Sequence, residues 1–179
     1  MTGYSSACAG LLDLAGGRVD LEDSPYHQGR APAPAHLRQK VVLVPQDPYL
    51  LRGTVLQNLS WGLRLRRVPA SERRTRSAGT LTALGLEDVA QEDALRLSGG
   101  QRTLVAVARA LVLCPAVLLL DEVTRDLDSQ HRQAVVEAVR KLVSSQGTSV
   151  LLATHDQEIA QQLANRRVNL RDGRIAATE

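Results

Sequence analysis

Residues 103–170 alternate between helical patterns and short apolar runs, and this alternation limits the fold more than any other feature of the chain. The spacing predicts a helix over 103–113, a strand over 116–120 and a helix over 129–143, then a strand over 148–153, a helix over 156–163 and a strand over 167–170. Strands separated by helices form a parallel sheet with right-handed crossovers, so the fold class is α/β. Asp172-Gly173 then predicts a hairpin turn into Arg174-Ile175. A chain of 179 residues can build one domain with a real core. It contains no Phe and few aromatics, so Leu, Val and Ala must fill that core.

The first half is less regular. Ala7 to Leu14 is expected to form a short helix that Gly16-Gly17 ends, and Arg18 to Glu22 alternates like a strand. Asp23 to His36 carries Pro25, Pro32 and Pro34 and reads as loop. Lys40 to Val44 fits a strand buried on both faces. Thr54 to Leu65 is expected as a helix capped by Thr54, with Trp61 and Leu63 packing inward, and Ser77 to Leu86 as another that stops near Gly85. Residues 54–96 show no strand and look like an inserted helical subdomain. The expected division is a core of 1–53 and 115–179 around a helical part of about 54–114. Arg64 to Arg76 holds six arginines, expected on a solvated helical face.

Cys8 and Cys114 lack metal-type spacing and are expected as buried thiols in a reducing compartment. No basic start followed by an apolar run opens the chain, so no signal peptide is expected. Val105 to Leu120 is the most hydrophobic window. It contains Arg109 and Pro115 and stops at two carboxylates, which predicts a buried helix and strand rather than a membrane span.

The chemistry gathers where predicted strands end. Val117 to Leu120 runs into Asp121-Glu122, and ligands of open α/β sheets bind at carboxyl ends of strands. Asp121 suits a magnesium ion held through water, and Glu122 suits a base that polarises a water. The strand ending at Ala153 leads to Thr154-His155-Asp156, and the strand ending at Val44 leads to Gln46. Each alone reads as an ordinary polar residue at a strand end. Their shared position predicts one site. Separately, Ser98-Gly99-Gly100-Gln101 opens a helix, where Ser98 can cap and the free N–H groups can hold an anion.

Taken in order, these stretches resemble the ATP-binding subunit of an ABC transporter. Leu97 to Gln101 resembles the signature motif, Ala106 to Leu111 the helix after it, and Val117 to Glu122 the Walker B strand. Val44 to Pro48 resembles the Q-loop, Leu127-Asp128 the end of the D-loop, and Thr154 to Asp156 the switch histidine. Thr54 to Leu59, followed by Gly62 to Arg66, looks nearest to importer-type subunits. The resemblance implies a P-loop NTPase-like, mostly parallel sheet flanked by helices, with ATP and Mg2+ as ligands. It implies a head-to-tail dimer with a second ATP-binding subunit, working with membrane-spanning permease subunits. The implied place is cytoplasmic, peripheral at the inner face of the cell membrane. By the same resemblance Glu122 and His155 are catalytic. Gln46 and Asp121 bind nucleotide and metal, Ser98, Gly99, Gly100 and Gln101 bind the partner's nucleotide, and Asp128 joins the two sites. A nucleic-acid partner is not expected, because no stacking aromatics accompany the arginine run.

The phosphate loop departs from the family's G-x-x-x-x-G-K-[S/T]. Thr2 to Ser6 falls near its end, with Gly3, Ser5 and Ser6 as nucleotide-binding candidates, Ser5 also a metal ligand, and Tyr4 in the lysine position. Anchoring on Ala9-Gly10-Leu11-Leu12 instead moves the lysine position to Met1. No lysine precedes Lys40. The resemblance therefore implies a truncated domain whose first strands precede Met1, and ATP hydrolysis by this chain stays open. So do two alternatives: a degenerate module that lends its signature motif to a complete subunit, or a non-functional fragment. Leu104 and Val123 replace the family's usual arginine and proline and are expected to alter packing. Arg125 and Asp126 replace small D-loop residues and are expected to disfavour a symmetric homodimer.

Overall fold

The computed structural model describes residues 2–31 and 33–178. Helix α1 (Thr2–Cys8) starts earlier and is shorter than the helix expected over Ala7 to Leu14. Gly10 closes it in the left-handed region, φ 70°, where an added Cβ would meet the Tyr26 ring at 3.2 Å. Strand β1 (Arg18–Leu21) lies where alternation predicts it. Strand β2 (Ser24–Gln28) falls inside the stretch expected as loop, and helix α2 (Ala35–Arg38) begins within it. The prolines mislead there for a physical reason. β1 and β2 form an isolated antiparallel hairpin, so Pro25 removes no donor from a central ladder, and Pro34 sits at the helix cap, where an N–H has no helical partner. Tyr26, Ala33 and Leu37 form a small apolar cluster of their own, and the Tyr26 hydroxyl donates to the Ala9 carbonyl at 2.8 Å.

After β3 (Val41–Val44) comes α3 (Val55–Leu65), whose Thr54–Gln57 capping box pairs both backbone donors at its start. Helix α4 (Ala70–Ala83) begins a turn and more before the helix expected from Ser77. Its first turns carry Ser, Glu and Arg with no apolar stripe to betray them. A 3-10 turn (Ala94–Arg96) leads to α5 (Gly99–Leu111). The remaining elements are β4 (Val117–Asp121), α6 (Ser129–Gln146), β5 (Ser149–Ala153) and α7 (Gln157–Leu163), then β6 (Val168–Arg171) and β7 (Arg174–Thr178).

β3, β4 and β5 form a parallel sheet in that order, with Val44 beside Leu120 and Leu120 beside Leu152. β6 does not extend this sheet, contrary to its expected role. Among the described residues it pairs with β7 alone, through the turn at Asp172 and Gly173, both at positive φ. Helix α5 is buried along nearly its whole length and packs on α3, α6 and β3. One apolar cluster therefore runs through Leu59 and Leu63 of α3, Val105 and Val107 of α5, Leu118 and Leu120 of β4 and Val135 of α6. Leu104 and Val123 are each 1% exposed and belong to it.

Leu63 packs inward as expected, but Trp61 is 50% exposed. Cys8 is half-buried and Cys114 exposed, so neither is the buried thiol expected. The arginine run is divided. Arg66 donates to the Leu113 and Gln39 carbonyls, Arg73 to the Val68 carbonyl, and Arg76 pairs with Glu72, whereas Arg64, Arg67 and Arg74 are exposed. No helix among the described residues is long and apolar enough to cross a membrane.

Candidate functional site

The parallel register brings the three strand ends to one edge of the sheet. Gln46 follows β3, Asp121 closes β4 with Glu122 next, and His155 follows β5. Asp121 is 1% exposed, and among the described residues neither carboxylate oxygen has a hydrogen-bond partner. Burial pushes its carboxyl above the usual carboxylate range, and the nearby Ser5 hydroxyl pulls it partly back. No hydrogen bond of ordinary geometry joins the two, and the Ser5 hydroxyl, fully buried, is also without a partner. Ser5 is brought there because α1 packs on β4.

Buried oxygens left bare in this way suit a small hard cation, which takes oxygen ligands and keeps several waters. Among the described residues no group of three or more His, Cys, Asp or Glu could hold a metal alone. Asp121, Ser5 and the half-buried Gln46 would supply only part of a shell, with the rest coming from a ligand's oxygens and water.

Glu122 sits at φ 52°, unusual for a residue with a Cβ. Its backbone N–H donates to the Ala153 carbonyl at 2.9 Å, which ties the turn to β5. Its carboxylate Oε2 lies 2.8 Å from His155 Nδ1. The Glu122 side chain is 10% exposed and that of His155 68% exposed. The imidazole thus closes over the carboxylate from the solvent side and leaves its Nε2 free.

Gly3, Tyr4, Ser5 and Ser6 all lie within α1, not in a loop ahead of it. Gly3 is exposed, Tyr4 is 48% exposed and Ser6 is half-buried. The helix ends near Ala9-Gly10, and Met1, the lysine position of the other registration, lies outside the described residues.

The signature turn is capped as its sequence predicts. Ser98 Oγ accepts from the Gln101 N–H at 3.3 Å, and the Ser98 N–H donates to Gln101 Oε1 at 3.0 Å. The two glycines differ. A Cβ on Gly99 would meet nothing within 4 Å, whereas one on Gly100 would lie 3.2 Å from the Asp126 carbonyl oxygen. Gly99 thus faces open space and Gly100 lets the turn close on the loop after β4. Asp128 caps α6, and both its oxygens are held by His131, one by the backbone N–H at 2.9 Å and one by ring Nδ1 at 2.6 Å. These hydrogen bonds hold the Asp128 carboxyl below its usual range. Ser98, Gln101, Asp126, Asp128 and His131 line one cleft. Sequence reasoning passed over His131. Its place three residues after a capping aspartate was the available signal.

A second groove, of about 310 Å³, lies between β3 and helices α3 and α5. Pro45, beside Gln46, opens it. Trp61, Gly62, Ala106, Arg109 and Leu113 line it.

The profile of the ABC transporter family matches residues 4–125, a span that carries Gln46, the signature turn, Asp121 and Glu122. The chain belongs to the ABC transporter family. Its similarity to the Fe(3+) ions import ATP-binding protein FbpC of Streptomyces coelicolor is 41% identity over 171 residues, 95% of this chain and 48% of that protein. To the spermidine/putrescine import ATP-binding protein PotA of Escherichia coli K12 it is 35% identical over 167 residues, 93% of this chain and 43% of that protein. This ABC chain thus spans about half the length of the curated relatives it matches. Among solved structures, the dimeric ABC transporter cassette MJ0796 superposes with a TM-score of 0.88 at 27% identity, covering 99% of this chain and 78% of that one. CbiO1 of Clostridium perfringens, part of the ABC transporter complex CbiONQ, gives 0.80 at 28% identity, covering 98% and 70%. The α/β fold of this ABC chain, with its parallel sheet, is that of an ATP-binding cassette.

Proposed function

We propose that this chain acts as the ATP-binding subunit of an importer-type ABC transporter, at the cytoplasmic face of a membrane and bound to permease subunits. The observation that carries the reading is the Glu122–His155 pair, set at adjacent strand ends beside the orphaned carboxylate of Asp121. Residues 54–114 serve as its helical subdomain.

Asp121, Ser5 and Gln46 would hold Mg2+, which would neutralise phosphate charge. Glu122 accepts a proton from the attacking water, a service worth about 10²–10⁴ in rate. His155 fixes the carboxylate through Nδ1 and turns Nε2 toward the terminal phosphate. The Ser98 hydroxyl and the Gly99 N–H turn toward a nucleotide held by a second subunit, and Asp128 links the two sites. The groove beside Gln46 receives the permease.

Complementation in the full-length chain tests the shared site. Glu122→Gln and Ser98→Arg are each expected to lower phosphate release from Mg-ATP by at least 10²-fold. Mixed, they can assemble one intact composite site, so roughly a quarter of wild-type turnover should return by statistical pairing. No recovery on mixing would overturn the head-to-tail arrangement. Undiminished release by Glu122→Gln would remove its role as base, and no release by the wild-type chain would overturn hydrolysis by this subunit with itself.

A further inference from the structure

We propose that Arg132, in the first turns of α6, is a positioning residue: it ties the loop after β4 to the loop after β5 and so keeps His155 over Glu122. This inference rests on the reading that Glu122 and His155 serve ATP hydrolysis.

His155 is held by little of its own. Among the described residues its ring hydrogen-bonds to Glu122 alone, and 68% of the side chain is exposed. Its neighbours are fixed instead. The Asp156 N–H donates to Thr154 Oγ1 at 3.0 Å. Asp156 Oδ1 caps α7, accepting from the N–H groups of Glu158 at 2.9 Å and Ile159 at 3.2 Å, and Ile159 is buried. These bonds shape the loop within itself but do not place it against Glu122. The β4–β5 register ends at Asp121 and Ala153, with one further backbone bond from the Glu122 N–H to the Ala153 carbonyl. Beyond that point, one side chain from outside the two loops hydrogen-bonds to both among the described residues, and it is Arg132.

Arg132 Nη2 donates to the Leu127 carbonyl at 3.2 Å, in the loop after β4, and Nη1 to Asp156 Oδ2 at 3.4 Å, next to His155. Its backbone N–H donates to the Asp128 carbonyl at 2.9 Å, so the side chain springs from a closed helical turn. Asp156 thus divides its oxygens, Oδ1 for α7 and Oδ2 for Arg132. The tie adds little to stability. Both side chains are partly exposed, where ion pairs contribute little, and Arg132 Nε is buried without a partner among the described residues, which is unfavourable. What the guanidinium supplies is geometry. It is a rigid, always-charged fork that reaches two acceptors at a fixed spacing, which a lysine cannot do.

Without that fork, residues 154–156 keep their own turn but are free to shift against Glu122. A misplacement of about 1 Å at a catalytic contact costs up to about 10²-fold in rate. The contact also has a signature that needs no nucleotide. An ionised carboxylate only accepts, so a neutral ring bound to it through Nδ1 carries its proton there. Arg140 provides the comparison. It too ties α6 to α7, by two hydrogen bonds to the Gln162 carbonyl, but at the end of α7 far from His155.

The test uses the full chain labelled with nitrogen-15 histidine. Imidazole spectra at about pH 8, where free imidazole is neutral, report the His155 tautomer, with its signals identified by their absence in His155→Asn. Arg132→Met is expected to release His155 from the Nδ1–H form, to lower kcat for Mg-ATP about tenfold and to leave KM within about twofold. The urea midpoint should be kept. Arg132→Lys should hold part of both effects back. Asp156→Asn keeps the oxygen that caps α7 and loses the charge that Arg132 meets, so it should release His155 in the same way and serves if Arg132→Met folds poorly. Arg140→Met should change neither tautomer nor kcat. An unchanged tautomer in Arg132→Met and Asp156→Asn, or an equal release in Arg140→Met, would overturn the tie and leave the catalytic reading of Glu122 and His155 standing. Undiminished turnover in Glu122→Gln, with His155 released by Arg132→Met, would overturn that reading and leave the tie standing. A wild-type ring without the Nδ1 proton would remove the Glu122 contact, and the proposal with it.

Discussion

Asp121 shows how a single buried group can be poor for the fold and good for chemistry. Its two bare oxygens cost stability in the unliganded chain, on the order of 1–3 kcal/mol. Asp121→Asn removes that charge and is expected to raise the melting temperature at neutral pH, while abolishing stabilisation by Mg-ATP. The pH dependence has a definite sign. The folded-state pKa is raised, so the native chain binds the proton more readily than the unfolded one. Wild-type stability therefore falls as pH rises from the ordinary aspartate range through the raised value. The variant's advantage should vanish in acid and be complete above that value. Calorimetry from pH 3 to 8 checks this, and a gap that widens in acid would contradict it. The sequence placed Asp121, Glu122 and His155 at strand ends because apolar runs and their polar stops are local features. It could not show that His155 reaches Glu122, since their 2.8 Å contact depends on β4 and β5 being neighbours.

Among elements, α5 separates what the fold needs from what a partner needs. Gly99 and Gly100 stand side by side at its start, yet only Gly100 approaches backbone, the Asp126 carbonyl. Gly100→Ala is expected to push that loop away and to lower stability. Gly99→Ala should leave denaturation by urea unchanged or slightly improved, because alanine favours helix, and yet reduce ATP turnover by crowding the shared face. Ser98→Ala removes one half of the capping box and should cost about 1 kcal/mol. Equal effects of the two glycine variants on stability would refute the distinction. Legibility at this scale followed the strength of the local pattern. The Thr54 and Ser98 caps were readable because cap, spacing and apolar face agree. β2 and the first turns of α4 were not. β2 takes its place from pairing with β1, and α4 packs only Ser77 and Leu81 inward, too few apolar residues to make a periodic signal.

At the scale of the molecule, the distribution of apolar contacts predicts what unfolds together. The sequence reads as one domain with a core and a helical part. The large cluster joins Val44, Leu118 and Leu120 of the sheet to Leu59, Leu81 and Leu104 of the helices without a break. Neither part can expose its side of this cluster without exposing the other's, so the two should melt in one transition. The hairpin β1–β2 with α2 is different. Its cluster of Tyr26, Ala33 and Leu37 is small and separate, and a 2.8 Å hydrogen bond from the Tyr26 hydroxyl to Ala9 ties it to the end of α1. Tyr26→Phe keeps the ring and deletes that bond, worth about 0.5–1.5 kcal/mol. Native-state hydrogen exchange is therefore expected to speed up for amides of residues 18–28, while those of β4 and α5 stay at the global rate. A uniform increase across the chain would mean that the hairpin belongs to the same cooperative unit as the sheet. A change confined to it would identify this hairpin as the part of the ABC chain that opens first.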